Sequence, residues 1–172
     1  LAFPKRTFFS ENTRIEEAVH ELLLERGKSL SLAESCTGGL LSSYFTKMPG
    51  CSPYFKGGVV CYSNELKQKL LGVDGNVLEE HGAVSEETVS QMLEGLLEKT
   101  NADYGVAISG TAGPGGGSEK CPVGTVYIGV GKKGEAPMIQ KTFHKGDRKR
   151  VMESTVAYAL SFLYQKIKYE SS

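Results

Sequence analysis

The chain has 172 residues, and 20 lysines and arginines balance 20 aspartates and glutamates. That length fits a single domain able to bury about 70% of its surface, so no disulfide or structural metal is required to hold a core. The zero balance argues against a general nucleic-acid binder, which carries a basic excess. No apolar run approaches the roughly 18 residues of a membrane span, and no charged stretch precedes an apolar one as in a secretory leader. A cytoplasmic protein is expected. The cysteines Cys36, Cys51, Cys61 and Cys121 form no CxxC pair and have no histidine at ligand spacing. They read as free thiols in a reducing compartment rather than as a zinc site.

Residues 1–12 read as a tail or linker remnant, and the start at Leu1 rather than Met fits a piece of a longer protein. The domain itself is expected over 13–168, with 169–172 as a C-terminal tail. Thr13 and Glu16 make a capping box. Ile15, Ala18, Val19, Leu22 and Leu23 then follow a helical stripe that Gly27 ends. Ser29 to Ala33 alternates like a strand and runs into Glu34-Ser35-Cys36-Thr37-Gly38-Gly39. A second helix covers Leu40 to Lys47. Gly58 to Tyr62 reads as a buried strand. Asn64 caps a short helix that closes at Gly72. Ser85 caps the next, whose stripe is Val89, Met92, Leu93, Leu96 and Leu97. Tyr104 to Ser109 is strand-like, and a glycine-rich loop spans Gly110 to Ser118. Val123 to Val130 and Met138 to Phe143 make a hairpin through Lys132-Lys133-Gly134-Glu135. A long helix from about Asp147 to Lys168 closes the chain. This order predicts an α/β fold, a layered mixed β-sheet flanked by helices.

A small nucleophile between a strand and a helix suits an oxyanion or a phosphate, because a helix start offers unpaired N–H groups and a positive dipole end. The same pattern also describes a capped helix with tight packing glycines. A hydroxyl nucleophile needs a base. His20, His81 and His144 read as exposed or structural, so a lysine must be considered. Lys67 falls in the first turn of its helix, where the dipole disfavours a cation by up to about 2 kcal/mol. Bringing a lysine from about 10.4 to roughly 7–8 costs about 3–5 kcal/mol, so burial or a second cation has to contribute. Tyr62 stands close enough in sequence to relay or orient a proton. A solvated surface lysine is the competing reading. Cys36 competes with Ser35 as nucleophile but reads better as a small buried hydrophobe. The Gly110–Gly117 loop lacks the closing Lys-Ser/Thr of a P-loop. Arg148, poorly placed for the dipole of its helix, suits a phosphate or an ordinary charge cluster.

Taken together, LAESCTGGLL (32–41), GGVVCYSNELKQKLLGV (57–73), HGAVSEETV (81–89), SGTAGPGGGSEKCPVGTVYIGV (109–130) and GDR (146–148) resemble the C-terminal domain of the competence/damage-inducible protein CinA. The resemblance covers about 13–167. It implies a nicotinamide-nucleotide amidohydrolase that converts nicotinamide mononucleotide to nicotinate mononucleotide and ammonia in pyridine nucleotide salvage, with no metal and no organic cofactor. It implies Ser35 as nucleophile and Lys67 as its base, with Tyr62 nearby. Backbone N–H groups around Thr37-Gly38 or Thr111 would stabilise the oxyanion, Gly39 would also border the substrate, and Arg148 with the glycine-rich loop at Gly113 would hold the phosphate. The expected partner is a small nucleotide rather than nucleic acid or membrane. A homo-oligomer and an N-terminal CinA domain outside this sequence are also implied. The alternatives are a non-catalytic module of competence or DNA-damage physiology, or an amidase for another small amide. One departure stands out: Cys121-Pro122 replaces the usual Lys-Pro before the Val-Gly-Thr-Val strand.

Overall fold

The structure is a computed structural model that describes residues 14–170. The expected tail at 1–12, Thr13 and residues 171–172 lie outside the described residues. Among the described residues, six helices and five strands follow in the order α1 (Ile15–Arg26), β1 (Leu30–Glu34), α2 (Leu40–Thr46), β2 (Phe55–Val60), α3 (Asn64–Leu71), α4 (Gly75–His81), α5 (Glu86–Thr100), β3 (Tyr104–Gly110), β4 (Thr125–Lys132), β5 (Met138–Phe143) and α6 (Arg148–Lys168). The strands form one sheet in the order β2-β1-β3-β4-β5. β1 pairs in parallel with both β2 and β3, whereas β4 and β5 complete the sheet as an antiparallel hairpin. The mixed α/β sheet between helices is therefore the observed architecture.

Each face of the sheet carries its own core. On one face Leu30, Leu32, Val106, Ile108 and Val126 pack with Val19 and Leu23 of α1, Leu41 and Phe45 of α2, and the Val156–Leu163 stripe of α6. On the other, Ala33 and Ala107 meet Val89, Met92, Leu93 and Leu96 of α5, with Leu71 and Leu78 of α3 and α4 behind. The small residues on this second face are required. A Cβ on Gly129 would lie 2.9 Å from the Val89 side chain, so α5 can ride close to the sheet only because none is there.

Several local expectations shift. The α1 start is held one residue later than the Thr13 box, with the Glu17 carboxylate accepting from the Arg14 N–H at 3.2 Å. α3 is capped by Ser63 rather than Asn64, its hydroxyl accepting from Leu66 N at 3.1 Å. β2 begins at Phe55 and is an edge strand with alternating exposure, not a buried one. Only one neighbour covers it, so its Val59-Val60 run does not need two apolar surroundings. α4 had no counterpart in the sequence reading. Its apolar content is Val77 and Leu78, too little to show a helical period, although Asp74 caps it through Asn76 N at 2.8 Å.

His20 is not simply solvated: its Nδ1 lies 2.9 Å from the Tyr54 hydroxyl, and the rings meet edge to face. Nor do residues 169–170 trail as a tail. The Glu170 carboxylate is taken up by the Tyr104 hydroxyl and by Lys132 and Lys166 at 3.3 Å each.

Candidate active site

All three parallel strands, β2, β1 and β3, end at the same edge of the sheet. The chain leaves β1 toward β2 on one side, while β3 lies on the other. A crevice opens where strand order reverses in this way, outside the carboxyl ends of the strands. Ser35 follows β1, Cys61 and Tyr62 follow β2, and the glycine-rich loop follows β3. Ser35, Tyr62 and the loop, together with Cys36, Lys67, Ala83, Val84 and Arg148, line a cleft of about 240 Å³. A wider depression of about 470 Å³ runs along α6 past Lys149, Arg150 and Glu153. It is an open groove between charged side chains and holds none of the residues considered above as nucleophile or base.

The turn after β1 is tight. Gly38 and Gly39 adopt φ of 58° and 97°, backbone that side-chain-bearing residues rarely enter. Ser35 is 6% exposed, and its N–H donates to Ile108 O of β3 at 3.1 Å, which pins the nucleophile turn to the sheet. From α3, Lys67 reaches inward and is 1% exposed. Its Nζ lies 3.0 Å from Ser35 Oγ, 3.0 Å from Cys61 O and 3.4 Å from Tyr62 O. The solvated-lysine reading is thereby set aside.

No carboxylate among the described residues forms an ion pair with Lys67. Burial lowers its pKa from 10.5, and the neighbouring Cys61 and Cys36 offset this only in part. As an ammonium, Lys67 can donate to all three oxygens; as a neutral amine, it can give its two N–H groups to the two carbonyls and turn its lone pair to the Ser35 hydroxyl.

Cys36 is the adjacent thiol, and burial pushes it up to about 12. It is almost wholly protonated near neutrality, so of the two neighbouring residues Ser35 is the better nucleophile.

The helix-end expectation needs correction. The α2 N–H groups of Leu41 and Ser42 are not open, because the buried Glu34 carboxylate accepts both, at 2.8 and 2.9 Å. Gly38 N–H donates to Ser35 O at 3.1 Å, and Thr111 N–H to Thr125 O at 2.9 Å. Neither is free for an oxyanion. Among the described residues, Cys36, Thr37 and Gly39 are the positions in this turn whose N–H groups take no backbone acceptor outside helices and strands. The Thr37 hydroxyl donates to Glu34 at 2.7 Å, and Gly39 serves as the α2 N-cap position.

Tyr62 is split between two tasks. Its carbonyl accepts from Lys67, while its ring is 56% exposed and its hydroxyl accepts from Arg148 Nη2 at 2.6 Å. Arg148 Nη1 donates to Gly113 O at 2.7 Å. One guanidinium thus bridges the glycine-rich loop and the β2–α3 connection across the cleft. Among the described residues, Arg148 and Lys67 are the charged ones lining the cleft, and no carboxylate lines it.

Opposite them, the wall at Gly82–Val84 is held by side-chain donors: Ser109 Oγ to Ala83 O at 2.6 Å, Thr88 Oγ1 to Gly82 O at 2.7 Å, and Cys121 Sγ to Val84 O at 3.4 Å. Cys121 thus braces this wall from behind. Among the described residues no group of three or more His, Cys, Asp or Glu side chains is arranged to hold a metal ion. No helix among them is long and apolar enough to cross a membrane.

A mixed α/β sheet with a buried serine–lysine pair at its parallel edge and an arginine across the opening defines the class of domain. The sequence profile of the CinA C-terminal domain matches residues 12–167, and the chain belongs to that family. It is 48% identical over 153 residues to a putative competence-damage inducible protein of Caldicellulosiruptor bescii, covering 89% of this chain and 37% of the relative. It is 47% identical over 155 residues to a CinA-like protein of Thermotoga maritima, covering 90% of this chain and 38% of that relative. The chain thus spans under two fifths of the length of these relatives. Among solved structures, the competence damage-inducible protein A of Klebsiella pneumoniae superposes with a TM-score of 0.87 at 34% identity, covering 92% of this chain and all of that one.

Proposed function

We propose that this domain is an amidohydrolase that removes ammonia from nicotinamide mononucleotide and leaves nicotinate mononucleotide. The observation that carries the reading is the 3.0 Å separation of Lys67 Nζ and Ser35 Oγ, with the amine buried and no carboxylate paired to it. Such a lysine is a base rather than a charge. Family membership and the Arg148 guanidinium at the opening support a substrate that carries a phosphate.

Neutral Lys67 takes the Ser35 hydroxyl proton as Oγ bonds to the carboxamide carbon. The N–H groups of Cys36 and Thr37 hold the oxyanion of the tetrahedral adduct. As the C–N bond breaks, the Lys67 ammonium returns its proton to the departing nitrogen, and ammonia leaves. Lys67, neutral again, takes a proton from water, which attacks the nicotinoyl ester. Collapse of the second adduct restores the Ser35 hydroxyl and releases the carboxylate product. Arg148 and the loop at Gly113 hold the phosphate in register. Tyr62 acts here through its hydrogen bond to Arg148 rather than by relaying a proton.

The test is ammonia release from nicotinamide mononucleotide by the purified domain, with and without EDTA, beside Ser35→Ala. The reading expects release that EDTA leaves intact and that Ser35→Ala lowers by about 10³-fold or more. A folded wild type that releases no ammonia overturns it.

A further inference from the structure

Glu34 stands directly before Ser35 and takes no part in the steps above. It is fully buried, and no lysine or arginine pairs with it among the described residues. A buried carboxylate persists only where donors compensate its lost hydration. Here four do. Oε1 accepts from Thr37 Oγ1 at 2.7 Å and Leu41 N at 2.8 Å, and Oε2 accepts from Ser42 N at 2.9 Å and Ser42 Oγ at 2.7 Å. The carboxylate therefore grips the nucleophile turn at its middle, through Thr37, and at its exit, through the first turn of α2. The Glu34 carbonyl works in the other direction. It accepts from Cys61 N at 2.9 Å, and Cys61 is the residue whose own carbonyl takes Lys67 Nζ at 3.0 Å.

We propose that Glu34 is a positioning residue that sets the register of Ser35 against Lys67: its side chain fixes the turn that carries the hydroxyl, and its main chain fixes the segment that holds the amine. The proposal rests on the serine–lysine reading, not on the identity of the amide. Neither tie touches substrate, so the effect falls on the chemical step. Misplacement of a reacting group by about 1 Å costs up to about 100-fold in rate.

The test uses the full chain with Glu34→Gln and Ser42→Ala, each checked for folding by circular dichroism and unfolding midpoint. The amide nitrogen of Gln cannot accept a hydrogen bond, so an α2 N–H group loses its partner. Ser42→Ala removes one donor outside the cleft and keeps the backbone bond. Two rates are read: ammonia release from nicotinamide mononucleotide, and phosphonylation of Ser35 by a fluorophosphonate, in which Oγ bonds phosphorus and fluoride leaves. The expected result for Glu34→Gln is kcat lower by about 10- to 100-fold with KM within about threefold, and a phosphonylation rate constant lowered by the same factor. Ser42→Ala shows a smaller loss in both.

Unchanged rate constants in a folded variant overturn the proposal. So does a reduced amplitude of labelling at an unchanged rate constant, since that is loss of folded protein alone. If Glu34→Gln does not fold, Ser42→Ala decides by the same criteria. A wild type that is phosphonylated but releases no ammonia overturns the substrate assignment only, and the labelling rates still test Glu34. A wild type that does neither overturns both.

Discussion

Gly95 of α5 lies so close to Leu71 of α3 that a Cβ on the glycine would stand 1.7 Å from the Leu71 carbonyl oxygen. Leu71 ends the helix that carries Lys67. The two helices touch backbone to side-chain-free backbone, and this contact sets how deeply α3 seats its lysine. Gly95→Ala cannot be absorbed by a side-chain rotation, because the obstructing atom belongs to the main chain. We expect a loss of about 1–3 kcal/mol of stability or more, read by urea unfolding, together with a fall in ammonia release that exceeds the unfolded fraction. Activity that merely tracks the folded fraction would show that α3 position does not matter to Lys67.

Lys67 ties rate and stability to pH in the same direction. Its folded pKa is lowered from 10.5 by burial, so the unfolded chain holds the proton to higher pH than the folded one. Between the lowered value and 10.5, the unfolded state binds more protons, and stability rises as pH rises. Over the same range of pH the fraction of neutral amine grows, so kcat/KM climbs on its acid side through the Lys67 value. Lys67→Met should remove the activity and flatten that part of the stability profile. Unfolding midpoints of both proteins from neutral to alkaline pH check this, and parallel profiles would mean that the lysine is charged in the fold.

Tyr62→Phe removes one hydrogen bond to Arg148 and leaves the Tyr62 carbonyl in place for Lys67. A hydrogen bond to a charged group contributes about 1.5–3 kcal/mol where it is buried; with Tyr62 56% exposed the lower end applies, which corresponds to a rise in KM for the mononucleotide of about 10-fold at unchanged kcat. Arg148→Ala should raise KM further and abolish the preference for mononucleotide over the corresponding riboside. A tenfold or larger fall in kcat with Tyr62→Phe would instead give the phenol a place in the proton transfer.

Cys36 sits beside the nucleophile with its thiol pushed up to about 12. Replacing it with Ala keeps the backbone N–H that the oxyanion needs. Ammonia release should stay within about threefold of wild type, and wild type should resist iodoacetamide at neutral pH, because the reactive thiolate is scarce. Inactivation at a rate typical of an exposed thiol would contradict this placement.

Much of the fold was legible because each long element carries its period openly. The α5 stripe from Val89 to Leu97, the α6 stripe and the closing hairpin fall where their apolar spacing puts them. α3 conceals its inner face. Leu66 and Leu70 are its exposed apolar residues, while Lys67 and Leu71 point inward. A hydrophobic count places the lysine in solvent, and the inverted face becomes readable only from the site it serves. Glu34 was hidden for a different reason. A carboxylate six residues ahead of the first helical residue looks like part of a turn. Its four bonds close only when the chain doubles back over Gly38 and Gly39. The α2 N–H groups, read from sequence as available, are occupied by that same residue.

The Arg148 bridge has a bearing on which molecules stay in the cleft. Two of the five guanidinium N–H donors are held by a phenol and a carbonyl from two different connections. The arginine is therefore aimed before anything binds, and the donors left over are presented in a fixed direction. On the amidohydrolase reading a phosphate dianion gains most from this, because it pairs its own charge with the guanidinium and can accept two parallel bonds. A free amide or a riboside brings no such group. The bridge thereby acts as a filter: neutral amides gain little from the aimed guanidinium, and a ligand with a compact double charge gains most, with Tyr62 and Gly113 still holding the arginine in place.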